Sequence, residues 1–147
     1  MFFATIYLIM NIYQSRHSLL PGSSLGELSK LARHEYHIIQ KRTPRRVPYV
    51  RSTYFTKDKI FVNSFWDHTN KKSPQERVRR LKLYKCALDT LRNTPFAPNT
   101  IHTNSDSDSS AHQFYGVSRD GIKFCVRVKE NKRTGRKDFT SVYPVKD

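Results

Sequence analysis

The last third of the chain, "HQFYGVS", "IKFCVRVKE" and "RKDFTSVYPV", constrains the fold more than any other stretch. These segments alternate apolar and polar residues and are separated by the turn signals "RDG" and "NKRTG". Period-two alternation implies strands with one covered and one open face, and short glycine-containing turns make such strands antiparallel neighbours. A three-stranded C-terminal meander is therefore expected. In its middle strand Ile122, Phe124, Val126 and Val128 share the face that must be covered, and Lys123, Cys125, Arg127 and Lys129 share the other. His112, Phe114, Gly116 and Ser118 fall together in the first strand, opposite Tyr115 and Val117. Strict alternation in the last strand groups Phe139, Ser141 and Tyr143 against Thr140 and Val142.

The cover is expected to be "SPQERVRRLKLYKCALDTLRN". Ser73 reads as an N-cap, with Pro74 at the first helical position and Glu76 three residues after the cap. Val78, Leu81, Tyr84, Leu88 and Leu91 recur at helical spacing. Upstream, Ser24 and Glu27 form a capping-box pattern before Leu25, Leu28, Leu31 and Ala32, which predicts a helix over about 25–40. "KDKIFVNSFWDH" reads as a strand near 59–66, or a strand turning into a helix. The expected fold class is α+β, with one or two helices on a small curved antiparallel sheet. Along the chain this gives an N-terminal accessory arm and helix (1–40), a basic extended connector (41–57) and an α+β domain (58–147). Within that domain the stretch 94–111, rich in Ser, Asp, Asn and Pro, reads as a long mobile loop.

Charge narrows the partners. The 27 Lys+Arg and 12 Asp+Glu give a net +15, and two blocks hold nearly all of the excess. Residues 41–93 carry 15 cations against 4 anions and residues 122–147 carry 8 against 3. An uneven positive field attracts polyanions, most commonly nucleic acid. The cations spread over helix, strand and loop instead of forming one juxtamembrane run, so no stable membrane partner is expected. The opening run "MFFATIYLIMNIY" is too short to span a bilayer, which takes roughly 20 apolar residues, and it lacks a signal peptide's basic start and cleavage site. A cytoplasmic location is expected. Cys86 and Cys125 stand 39 residues apart in apolar surroundings, which favours two buried free thiols over one disulfide. With no phosphate-loop, dinucleotide or metal-ligand spacing in the sequence, no cofactor and no metal is expected.

One polar residue conflicts with a merely solvated surface. At about 100° per residue, Arg77 projects within the apolar stripe of its helix, at the end where the helix dipole disfavours a cation. It either snorkels at the rim of the core or faces a cleft where it holds a phosphate. His68 precedes the same helix and His112 opens the meander, so the two offer an acid–base pair if the fold unites them. Arg127 and Lys129, with hydroxyl and aromatic groups, suit RNA, which is held by cations at phosphates and by rings stacking on unpaired bases.

The segments "FVNSFWDH", "RVRRLKLYKCALDTLRN" and "HQFYGVSRDGIKFCVRVKENKRTGRKDFTSVYP", over about residues 58–145, resemble small uncharacterised bacterial proteins with the same order of elements. More distantly they are similar to the barnase–EndoU–colicin–RelE ribonuclease superfamily, including its phage-associated branch. That resemblance implies a helix-then-sheet domain, metal-independent RNA cleavage of a toxin or effector type, and a cognate acidic inhibitor. It implies RNA as partner, presented as tRNA or as ribosome-bound mRNA. The matching catalytic positions are His68, Arg77 or Arg80, Lys129, and Ser141 or Thr140, with Tyr143 as an extra base-stacking or acid group. Arg80, His112, Tyr115, Arg127, Lys132, Arg133, Arg136, Lys137, Thr140 and Tyr143 would contact nucleic acid. Two other readings stay open: a non-catalytic RNA- or DNA-binding module, and a protein-interaction factor with acidic partners. Geometry divides the first two, because catalysis needs these groups convergent and binding tolerates them scattered.

Overall fold

Phe124, Val126 and Val128 are fully buried, so the middle meander strand turns the expected face to the core; Ile122 lies before that strand and stays exposed. The structure, a computed structural model, describes residues 11–102 and 108–146. Residues 1–10 of the opening apolar run and residues 103–107 of the Ser/Asp stretch lie outside them.

The chain is α+β, and among the described residues it has four helices and seven strands. In order these are β1 (Ile12–Gln14), α1 (Leu25–Arg42), β2 (Tyr49–Arg51), β3 (Lys59–Phe61), α2 (Ser64–Asn70), α3 (Pro74–Lys82), α4 (Tyr84–Asn93), β4 (Asn99–His102), β5 (Ser109–Val117), β6 (Lys123–Asn131) and β7 (Lys137–Pro144). The sheet corrects the expectation in size and type. It is seven-stranded, curled and mixed, in the order β1-β5-β6-β7-β3-β2, with β4 also paired to β5. The β5–β6–β7 meander is present as expected. Around it, β1 adds in parallel at Ile12↔Tyr115 and β4 adds antiparallel at Asn99↔Gln113, so the two share one flank of β5. On the far side β3 meets β7 in parallel at Phe61↔Asp138, and β2 follows antiparallel.

The helices begin where their caps dictate. Ser24 Oγ accepts from the Glu27 amide at 3.2 Å and Ser73 Oγ from the Glu76 amide at 3.3 Å. Helix α1 buries Leu28, Ala32, Tyr36 and Ile39 in the same hydrophobic cluster as the meander. The single helix expected over 73–93 is broken at Leu83, whose amide bonds back to Arg80 O at 3.1 Å in a tight turn. Leu81, Leu83 and Tyr84 are all buried. In one continuous helix Leu83 would lie about 200° from Leu81, facing solvent, so the bend lets three of four consecutive side chains reach the core.

A second departure lies in β7. The register slips between Arg127 and Val128, so that Val128 pairs with Phe139 and Arg127 with Ser141. Thr140 is the extra residue of a β-bulge, and its hydroxyl donates to Arg127 O at 3.3 Å. Phe139 and Val142 therefore both face the core, fully buried, while Ser141 and Tyr143 turn together to the open face. Strict alternation had grouped Phe139 with Ser141.

The N-terminal arm is latched by one carboxylate. Asp89 accepts from Tyr13 Oη (2.9 Å), Ser15 Oγ (2.8 Å), the Arg16 amide (2.9 Å) and Asn93 Nδ2 (2.8 Å). Burial pushes its pKa up, but the four donors outweigh burial and hold it below the ordinary value. Cys86 and Cys125 are free and buried; desolvation raises both thiols, Cys86 to about 11. No described helix is long and apolar enough to cross a membrane.

Candidate functional site

Because β3 meets β7 at Phe61↔Asp138, the C-terminal half of β7 has no strand on its outer side among the described residues; α2 and α3 pack along it instead. Phe65 of α2 stacks on Phe139 with ring centroids 4.9 Å apart and seats that helix. The arrangement carries the end of α2 and the middle of α3 past the sheet edge, where they wall a hollow on the open face of β5–β7. Its volume is about 490 Å³, within the roughly 300–1,000 Å³ typical of small-molecule sites.

His68, Lys72 and Arg80 line the helical wall, and Arg127, Lys129, Thr140, Ser141 and Tyr143 line the strand wall. Ser109, Ser110 and Ala111 of β5 close the remaining side. None of the described side chains lining the hollow is acidic. His68, Lys72 and Lys129 are exposed, whereas Arg127, Ser141 and Tyr143 are half-buried. The Arg80 guanidinium lies 5.5 Å from the Tyr143 ring centroid, and its Nε, buried without a hydrogen-bond partner, sits 3.6 Å from Glu76. Burial, with the Cys125 thiol beside it, pushes the Tyr143 phenol up to about 12. Tyr143 therefore stays protonated at neutral pH and acts as a donor.

Of the expected catalytic residues, His68, Lys129 and Ser141 thus meet in one hollow, joined by Arg80, Arg127, Thr140 and Tyr143. Arg77 does not line it; its Nε is buried without a hydrogen-bond partner, and Arg80, one turn later, occupies the helical wall instead. His112 is a second correction. It pairs with Val128 across the sheet and so faces the core side, away from the hollow. There its Nε2–H donates to the Glu130 carboxylate at 2.7 Å, its Nδ1 pairs with the Thr100 hydroxyl at 2.8 Å, and its ring meets Phe55 edge-on. No His68–His112 pair forms.

Lys137 is also turned inward. Its Nζ donates to Asp58 at 2.7 Å and to Gly135 O at 3.2 Å, and lies 3.8 Å from Glu130. That spends its charge on the protein itself. The Lys137 hydrogen bond in turn holds Asp58 below the ordinary carboxylate value. Lys132 and Arg133 are exposed in the β6–β7 turn, outside the hollow, and Arg136 pairs with Asp138 at 3.2 Å. Tyr115 lies on the open face in the row Tyr143–Cys125–Tyr115, beside the hollow but not lining it.

Lys72, Ser109 and Ser110 were not singled out from the sequence. For Lys72 the signal was present, since it follows His68 by four residues, one helical turn. Ser109 and Ser110 sat inside an apparent loop. No protein-family model matches the chain, and no curated protein or solved structure matches it.

Proposed function

We propose that this protein is a ribonuclease that cleaves single-stranded RNA by attack of a 2′-hydroxyl on the adjacent phosphate. The observation supporting this is convergence: one imidazole, one phenol held protonated and four cations share a hollow that no described acidic side chain lines. Lys72, Arg80, Arg127 and Lys129 supply the charge that neutralises a pentavalent phosphate. In the step, His68 accepts the 2′-hydroxyl proton as the 2′-oxygen bonds to phosphorus. The bond to the 5′-oxygen breaks as Tyr143 donates a proton to it, and His68 returns the proton through solvent. The products are a 2′,3′-cyclic phosphate and a free 5′-hydroxyl. The Ser141 hydroxyl orients a phosphate oxygen beside Arg127.

The test is incubation of purified protein with RNA in the presence of a chelator, scoring fragments with cyclic phosphate ends. His68→Ala combined with Lys129→Ala should abolish cleavage and leave the thermal transition nearly unchanged, because both side chains are exposed. Undiminished cleavage by that double variant would remove the chemistry from this hollow. A second reading, RNA binding without cleavage, is favoured by the single imidazole in the hollow, since His112 is elsewhere. It is the reading left standing if binding is measured and fragments are not.

A further inference from the structure

The open face does not stop at the hollow. Cross-strand register runs an unbroken row from its wall to the β2 edge: Lys129 pairs with Asp138, Asp138 with Phe61, and Phe61 with Tyr49. Paired residues share a face, so Tyr49 and Phe61 lie on the same side of the sheet as the site. Their rings meet edge-on with centroids 6.1 Å apart, and both are half-buried. Cations crowd around them. Arg51 and Lys59 lie 5.4 and 4.8 Å from the Tyr49 centroid, and the Arg136 guanidinium lies 4.3 Å over Phe61. Asp138 pairs with Arg136 and holds that guanidinium on the sheet surface.

We infer that this aromatic and cationic strip is a track for single-stranded RNA, holding the nucleotides that flank the one bound in the hollow. Rings and guanidinium planes stack on unpaired bases without regard to sequence, and the cations beside them meet phosphates. At about 4.8 Å between strands, Phe61 stands about 10 Å from the Lys129 strand and Tyr49 about 15 Å. A mononucleotide cannot bridge that distance, so the occupant is a strand several nucleotides long. A duplex hides its bases in its own stack and gains little from the rings. Although the inference rests on RNA occupying the hollow, the strip can fail or stand by itself.

The test uses 2′-O-methyl oligoribonucleotides, which lack the attacking hydroxyl, so that binding is read without cleavage. Full-length protein should bind a single-stranded decamer more tightly than a dinucleotide. Tyr49→Ala with Phe61→Ala should remove about tenfold of decamer affinity per ring and leave dinucleotide affinity unchanged. Arg51→Glu with Lys59→Glu, which leaves both rings in place, should give the same length-selective loss and serves if the ring variant does not fold. Decamer binding undiminished in a folded variant would overturn the track while leaving cleavage in the hollow intact. A duplex bound as tightly as the single strand, with the same losses, would also overturn it. Length-dependent binding lost in the variants of a protein that cuts no RNA would uphold the track and remove the nuclease.

Discussion

Arg127→Gln is the most direct probe of whether the hollow grips phosphate. Arg127 is half-buried on the open face and lines the hollow opposite the helical wall. Glutamine keeps most of its volume and hydrogen-bonding capacity but removes the charge. Each phosphate contact releases condensed counterions, so log K falls against log salt with a slope of about −0.7 per contact for a single strand. Four hollow cations predict a slope of at least about −2.8, or about a 50-fold loss of affinity between 50 and 200 mM salt. Removing one should flatten the slope by about 0.7, making that loss about 2.6-fold smaller. The assay is fluorescence anisotropy on a labelled, non-cleavable 20-nucleotide single strand across a salt series. Arg119→Gln, an exposed cation in the β5–β6 turn and outside the hollow, is the control and should leave the slope unchanged. Equal slopes for the two variants would refute the phosphate-gripping role of Arg127, because a generic loss of one positive charge would act alike at both places.

Two further predictions concern the frame that holds the site. A Cβ on Gly116 would lie 2.5 Å from Phe124 Cζ, so Gly116→Ala should cost about 1–3 kcal/mol in urea unfolding. Phe124→Leu in the same chain should return part of that loss, and no rescue would mean the clash is relieved elsewhere. Asp89→Ala strands the buried Ser15 hydroxyl and the Arg16 amide, which should cost about 3 kcal/mol and lower Tm by about 10 °C. Since the folded state lowers the Asp89 pKa, its contribution is present above the unfolded value of about 3.9 and is lost as pH falls through the folded one. Asp89→Asn should therefore remove part of the acid-induced loss of stability seen below about pH 4, and identical acid profiles would refute the latch.

How much of this was legible differs element by element, for physical reasons. Nine-residue strands such as β5 and β6 repeat their alternation often enough to be read, and so Arg127 and Lys129 were assigned to the open face correctly. Strands β1, β2 and β4 have three or four residues each, too few for a period to register, and they exist because β5 and β3 offer them unpaired backbone. The partners of His112 and Lys137 are a matter of tertiary register; nothing local links His112 to Glu130, 18 residues away, or Lys137 to Asp58, 79 residues away. The bulge at Thr140 is the sharpest case. "DFTSVYP" reads as plain alternation, yet Phe139 and Val142 are both needed in the core, and one extra residue reconciles the strand with that demand. The same slip turns Ser141 and Tyr143 to the open face beside Arg127. Packing of the core and assembly of the hollow are thus one event: removing the bulge would put Thr140 opposite Arg127 and swing Ser141 toward the helices. Deleting Thr140 removes the extra residue itself and keeps Ser141 opposite Arg127, so the shortened chain should fold and keep its binding in the hollow. Loss of binding in a folded deletion variant would refute the reading of Thr140 as a spacer between the core and the open face.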